Sequence, residues 1–288
     1  MSVEPASMRP LAAFSPESRA SIRGVLFDID DTLTTEGRLT AAAYATVEAL
    51  KKTGLIVVPI TGRPAGWCDH IARMWPVDGV VGENGAFYFF FDHANKKLQH
   101  RFVKTVAERQ ADRKRLTIIA ERIIREVPGS AFASDQHYRE ADIAIDFCED
   151  VPPLPTEEIV RIKTIMETCG LTAKVSSIHV NGWFGGYDKL STTKLFMRER
   201  FGIDLDLHKS EFVFVGDSPN DEPMFEYFPH SVGVANVKKF LDVISAKPAY
   251  VTEASCGEGF AELARALLRE GMPVDDQHRR MKQYTHIV

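Results

Sequence analysis

Phe27-Asp28-Ile29-Asp30-Asp31-Thr32-Leu33-Thr34 follows directly on the apolar run Gly24-Val25-Leu26 and ends it in carboxylates and hydroxyls. An apolar run that stops at polar turn formers reads as a buried strand with acids at its carboxyl end. The pattern returns far downstream, where Phe212-Val213-Phe214-Val215 leads into Gly216-Asp217-Ser218-Pro219-Asn220-Asp221. Two such strands in one sheet gather their acids at one edge, and the carboxyl edge of an open α/β sheet is where ligands bind. Carboxylates packed together repel unless a hard cation sits among them, and Mg²⁺ is the natural occupant of an oxygen site. The pattern points to metal-assisted chemistry on phosphate.

Two further signals lie between these strands. Leu55-Ile56-Val57-Val58-Pro59-Ile60 runs into Thr61-Gly62-Arg63-Pro64, and Lys189 follows Tyr187-Asp188. Asp28, Asp30 and Thr32 fill an Asp-x-Asp-x-Thr pattern, and Gly216, Asp217, Asn220 and Asp221 fill Gly-Asp-x-x-Asn-Asp. Together, in this order and from about Gly24 to Gly233, the four motifs resemble the haloacid dehalogenase superfamily. The resemblance implies a doubly wound α/β core. Only one helix fits between Thr32 and Thr61, whereas a whole domain fits between Thr61 and Lys189, which in this superfamily places an α+β cap after the second motif. Gly82-Glu83-Asn84-Gly85-Ala86 resembles the class IIB branch, which includes sucrose-phosphate phosphatase, mannosylphosphoglycerate phosphatase and phosphomannomutase. The expected division is a core of residues 1–83 and 188–288 and an inserted cap of residues 84–187. Many relatives have Gly where this chain has Asp31, and many have Gly after the lysine, where it has Leu190. Phe184-Gly185-Gly186-Tyr187-Asp188-Lys189 resembles the phosphomannomutase version of that motif more than the sucrose-phosphatase one.

The rest of the chain sets bounds. Its 288 residues are 44% hydrophobic and 26% charged, an ordinary balance for a globular protein with a real core. A net charge of −5 argues against nucleic acid as a partner. Basic residues from Arg109 to Arg125 alternate with apolar ones at helical spacing and read as a solvated helix face. No apolar run is long enough for a membrane span. Cys68, Cys148, Cys169 and Cys256 are scattered without metal-ligand spacing, as expected of free thiols in a cytoplasmic protein. Residues before Met8 are expected to add nothing to the fold, and the polar tail from Asp275 to be disordered or laid along the surface. Ala86–Phe91 and Leu98–Phe102 read as a hairpin at the head of the cap, followed by a helix over Val106–Glu126.

The residue types suggest roles. Asp28 is the candidate nucleophile, since a carboxylate attacking phosphorus splits one difficult hydrolysis into two displacements. Asp30 can protonate the leaving oxygen and then deprotonate water, a contribution of typically ~10²–10⁴-fold. Mg²⁺ is expected on the Asp28 and Asp217 carboxylates and the Asp30 carbonyl. Asp221 is expected to orient a metal-bound water, to bind directly, or to cap the helix through Met224 and Phe225. Thr61 and the Gly62 amide can donate to phosphoryl oxygens while Lys189 steadies Asp28; Lys194 is the rival lysine, and Asn220 is expected to position Lys189 or its loop. Arg63 suits a sugar, a second phosphate or an ion pair. Arg139, His179 and Asn181 suit a polar cap face toward the cleft, Asn84 and Thr34 a ligand contact or a turn, and Trp183 a sugar ring or the cap core. The whole implies an Mg²⁺-dependent phosphatase acting on a phosphorylated sugar or related small metabolite. A phosphomutase would use the same Asp pair and would require a sugar bisphosphate. A non-catalytic sugar-phosphate binding protein would have no need of Asp28.

Overall fold

The computed structural model describes residues 8–268. The chain runs β1 (Arg9–Pro10), α1 (Pro16–Ala20), β2 (Gly24–Phe27), α2 (Ala41–Lys52), β3 (Ile56–Pro59), α3 (Ala65–Met74), β4 (Val80–Gly82), β5 (Phe87–Asp92) and β6 (Lys97–Phe102). It continues with α4 (Val106–Glu126), β7 (Ala131–Phe132), β8 (Asp142–Asp146), α5 (Thr156–Thr168), β9 (Thr172–Val175) and β10 (His179–Trp183). It ends with α6 (Lys189–Phe201), α7 (Leu205–His208), β11 (Phe212–Gly216), α8 (Glu222–Tyr227), β12 (Ser231–Gly233), β13 (Tyr250–Val251) and α9 (Cys256–Leu268). The expectations for residues before Met8 and for the tail from Asp275 lie outside the described residues.

A six-stranded parallel sheet in the order β1-β13-β12-β11-β2-β3 forms the core. Side chains on a strand alternate between faces. Val25 and Phe27 therefore enter one apolar layer with α2 and α9, while Leu26 enters the other with Phe212, Phe214 and α6. Both faces are covered, which is why β2 and β11 read as unbroken apolar runs rather than alternating ones. They are direct neighbours, with Phe27 opposite Val215, and the pairing continues as Asp28 N–H donates to Val215 O at 2.9 Å. That register puts both acidic loops at the same edge.

The second layer is an antiparallel sheet in the order β7-β8-β10-β9, with α4 packed on β8 and α5 on β9 and β10. It has its own core around Leu116, Ile123, Ile145, Ile162, Met166 and Val180. Trp183 is fully buried, stacks on Tyr187 and donates its indole N–H to Tyr187 O, so it is a packing residue. This is the α/β core with an inserted α+β cap that the motif order implied.

One expected cap element sits elsewhere. The hairpin β5–β6 pairs antiparallel with β4, which is bridged to the core through Ile60 and Val81. Phe87 and Phe89 pack with Cys68, Ile71 and Ala72 of α3. A strongly apolar hairpin needs a partner surface, and the nearest open one was the flank of the core.

Entry to and return from the cap lie side by side. Gly85 has φ +108°, and a Cβ there would stand 2.1 Å from Asp188 O. Thr192 ties the two passages by donating its hydroxyl to Gly85 O at 2.5 Å. Only glycine permits that approach.

Candidate active site

The loop after β2 turns sharply enough for Asp31 to adopt φ +55°, the left-handed region, which glycine enters more easily than other residues. Thr34 closes the turn, donating its hydroxyl to Ile29 O and accepting from Asp31 N–H, so it serves as a turn residue. Asp28 and Asp30 emerge at the sheet edge, Asp28 buried and Asp30 partly open.

Lys189, the first residue of α6, is also buried. Its Nζ lies 2.7 Å from Asp28 Oδ1 and 2.7 Å from Asp221 Oδ1. Burial disfavours its charge, but Asp221 and Asp28 outweigh that and raise its pKa. Lys194 instead pairs with Asp206 at the surface. The other oxygen of Asp221 accepts the N–H groups of Asp217 and Ser218 at 3.0 and 3.4 Å. Its carboxylate therefore locks the loop after β11 and anchors the lysine, and makes no capping bond to α8. Gly216 makes room for it, because a Cβ there would meet Asp221 Oδ2 at 2.4 Å. Asn220 is bound by the Ser218 hydroxyl at 2.7 Å and, among the described residues, makes no hydrogen bond to Lys189.

Asp217 receives the Thr32 hydroxyl at 3.0 Å and the Asn236 amide at 3.1 Å. One oxygen each from Asp28, Asp217 and Asp221 lies within 4.8 Å of the others. Burial, with Asp221 and Asp30 adding to it, pushes the Asp28 carboxyl up to about 8 against the pull of Lys189. Burial and then the charges of Asp221 and Asp28 push Asp217 well up. Three buried carboxylates thus face a single lysine, and the oxygen donor set and the surplus negative charge fit a hard divalent cation.

Thr61 is fully buried at the end of β3, and its hydroxyl accepts the Arg63 N–H at 3.0 Å. The Asn84 amide lies buried against Gly62, with neither its nitrogen nor its oxygen hydrogen-bonded among the described residues. Arg63 turns toward Asp30 and holds it with Nε at 3.0 Å and Nη2 at 2.8 Å. Nη2 also reaches Glu149 at 2.8 Å, Nη1 reaches Asp135 at 3.4 Å, and the guanidinium lies 4.4 Å from the Trp67 ring centroid. His179 Nε2 lies 2.9 Å from Glu149. Burial alone would raise the Glu149 carboxyl, but the bonds from His179 and Arg63 outweigh it and hold it down at about 2.

Arg139 bonds Asp142 at 3.0 Å and Asp135 at 3.3 Å, and caps Gly62 O at 2.9 Å. Asn181 donates to Asp142 at 3.1 Å. Arg63, Arg139, His179 and Asn181 do come together with Asp28, Asp30 and Gly62 around one cleft between core and cap. Each of the four is engaged with protein carboxylates, so they act first as the joint between the two layers. The cleft they line has room for ≈ 10 Å³, roughly one water.

Glu149, Asp135, Asp142, Asn236 and Glu83 were not singled out from the sequence. Only Glu83 carried a local signal, through its place beside Asn84-Gly85. It is fully buried, at φ +43°, and accepts the N–H groups of Ala65, Glu140 and Ala141 at 2.9, 2.8 and 2.6 Å. Glu83→Ala orphans three donors at the core–cap joint and is expected to cost about 3 kcal/mol, at 1–3 kcal/mol per buried donor with partial rescue by water. A urea midpoint equal to that of the unchanged protein would remove this role. Burial and then Asp142 push the Glu83 carboxyl from its ordinary 4.5 up to about 8, against the pull of Arg139 and the amides. Its share of stability is therefore complete below about pH 4.5 and fades as pH rises through 8.

Comparison with known proteins agrees with this geometry. The family model of haloacid dehalogenase-like hydrolases matches residues 25–122. Phosphoglycolate phosphatase of Methanospirillum hungatei is 28% identical over 246 residues, 85% of this chain and 96% of the relative. A Thermoplasma acidophilum crystal structure shares the fold at TM-score 0.64 and 21% identity, covering 86% of this chain and 98% of its own. The sucrose-phosphatase of Synechocystis, solved with sucrose and phosphate, shares it at TM-score 0.57 and 16% identity, covering 85% and 98%. The four motifs converge on one carboxylate cluster at the sheet edge beneath an inserted cap, and over residues 25–122 the chain is similar to the haloacid dehalogenase-like hydrolases, with named phosphatases among its relatives.

Proposed function

We propose that the protein is an Mg²⁺-dependent phosphatase that hydrolyses a phosphorylated sugar or related small metabolite through an aspartyl-phosphate on Asp28. The observation that carries this reading is Lys189 held between Asp28 and Asp221 at 2.7 Å, with Asp217 in the same cluster. Asp28, Asp217, Asp221 and the Asp30 carbonyl would hold the ion. When bound there, Mg²⁺ supplies positive charge that offsets the carboxylates and the phosphoryl oxygens.

An Asp28 oxygen attacks phosphorus, and the bond from phosphorus to the ester oxygen breaks as Asp30 gives that oxygen a proton. The alcohol leaves. Asp30 then takes a proton from water as the water oxygen attacks the aspartyl-phosphate. The bond from phosphorus to Asp28 breaks, releasing phosphate. Arg63 keeps Asp30 aimed throughout, and Thr61, the Gly62 amide and Lys189 receive the charge on the transferring group. A cleft of ≈ 10 Å³ is too small for a phosphate ester, so the cap lifts for substrate to enter and closes for the chemistry.

The curated relatives are phosphoglycolate phosphatases, which supports a small phosphomonoester and makes phosphoglycolate the first compound to test. The four cysteines are unpaired, which supports a reducing compartment such as the cytoplasm. No helix among the described residues is long and apolar enough to cross a membrane. The test is release of phosphate from a panel of phosphorylated metabolites with Mg²⁺ and no sugar bisphosphate. Turnover on at least one supports the reading; transfer that requires a bisphosphate replaces it with a mutase, and no turnover on any sinks it.

A further inference from the structure

We propose that the organic part of the substrate occupies a groove on the core side of Asp30, and that this groove selects a ring-bearing leaving group. The proposal deepens the phosphatase reading and rests on it. The groove measures ≈ 530 Å³, and its walls include Asp30, Leu39, Trp67, His70, Trp75 and Tyr138. That volume lies within the usual range for small-molecule sites, roughly 300–1,000 Å³.

Asp30 is the residue shared by the groove and the catalytic cleft. A carboxyl that protonates the leaving oxygen must lie beside the leaving group, so a space that begins at Asp30 is where that group can extend. With the cap closed, as it is during the chemistry, the cleft on the other side has almost no room, and its cap residues are bound to protein carboxylates. The groove stays open while the cleft is closed.

Its walls define the chemistry. None of its lining residues is Lys or Arg, and its one fixed carboxylate is Asp30. That carboxylate is already paired with Arg63, whose guanidinium also lies 4.4 Å from the Trp67 ring centroid, so the groove selects by size and by its rings rather than by charge. A two-carbon acid would leave most of the volume empty. Two large aromatics face this space half-exposed, Trp67 at 42% and Tyr138 at 50%. Such rings present apolar faces suited to stacking on an aryl ring or on the C–H face of a pyranose. Tyr138 comes from the cap and rests on Gly66 of α3, where a Cβ would stand 2.9 Å from its ring. A ligand in the groove therefore touches both layers.

The experiment compares kcat/KM for phenyl phosphate, glucose 6-phosphate and phosphoglycolate in the full chain with Mg²⁺, before and after Trp67→Ala and Tyr138→Ala. Unchanged protein should favour the ring esters, the two rings separating an aryl from a sugar preference. Each variant should lower the ratio of ring ester to phosphoglycolate about tenfold, mainly through KM. Tyr138→Ala guards against an effect of Trp67→Ala passing through Arg63. Ratios unchanged in both variants, or a preference for phosphoglycolate, would overturn the groove. A second readout does not need turnover: phenyl phosphate titrated into Asp28→Asn should quench tryptophan fluorescence, and Trp67→Phe in that background should remove most of the quench. If no ester is hydrolysed but the quench behaves this way, the groove stands and the phosphatase reading falls. Absence of any Trp67-dependent quench counts against the groove.

Discussion

Asp28→Asn is expected to lower phosphatase turnover by at least about 10⁴-fold while leaving the fold intact, because an amide fills the same space but is a very poor nucleophile. The asparagine oxygen can still accept from Lys189, and losing one of three crowded carboxylates relieves repulsion in the metal-free protein. Thermal unfolding should therefore match or exceed that of the unchanged chain. The sharper readout is covalent. Rapid acid quench with radiolabelled substrate should trap a phosphoenzyme in Asp30→Asn, where water is no longer activated, and none in Asp28→Asn. Near-normal turnover in Asp28→Asn would show that another group attacks phosphorus.

Removal of divalent metal is expected to have an effect of similar size. With excess chelator, activity should fall to background and return with Mg²⁺, whereas Ca²⁺ should bind and inhibit because its longer, more numerous bonds misplace Asp28. Asp28 and Asp221 share Lys189, and Asp217 has no ion-pair partner among the described residues, so the ion should also stabilise the fold. At a hundredfold excess over its dissociation constant, Mg²⁺ should add about 2.7 kcal/mol, visible as a rise in melting temperature without any substrate. Full activity in chelator, or a melting temperature indifferent to Mg²⁺, would remove the metal from this mechanism.

The two predictions draw on residues of different legibility. Asp28 and Asp217 stand at the ends of apolar runs, and strand periodicity plus the carboxyl-edge rule were enough to bring them together. Lys189 is 161 residues from Asp28, and no local pattern reports such a contact; it was reached through the order of the motifs. The core sheet and the inserted cap were legible for the same two reasons. The hairpin β5–β6 was legible as a hairpin but not in its placement, because its sequence does not say which layer will cover its apolar side chains.

Arg63 shows the limit most clearly. Its place after Thr61 suited a substrate contact or an ion pair, and nothing local chose between them. The folded chain gives it Asp30, Glu149 and Asp135, the last two from the cap. Those partners lie 33, 86 and 72 residues away, and their approach depends on how the cap sheet seats on the core.

The sequence by itself determined the central strands, the edge at which they end and that acids gather there, because side-chain periodicity and turn formation act over a few residues. Only the tertiary structure decided how full the cleft is, which charges answer one another across the joint, and that an aromatic groove opens at Asp30. Those features are surfaces between elements, and their shape and charge exist only once the cap and core have packed.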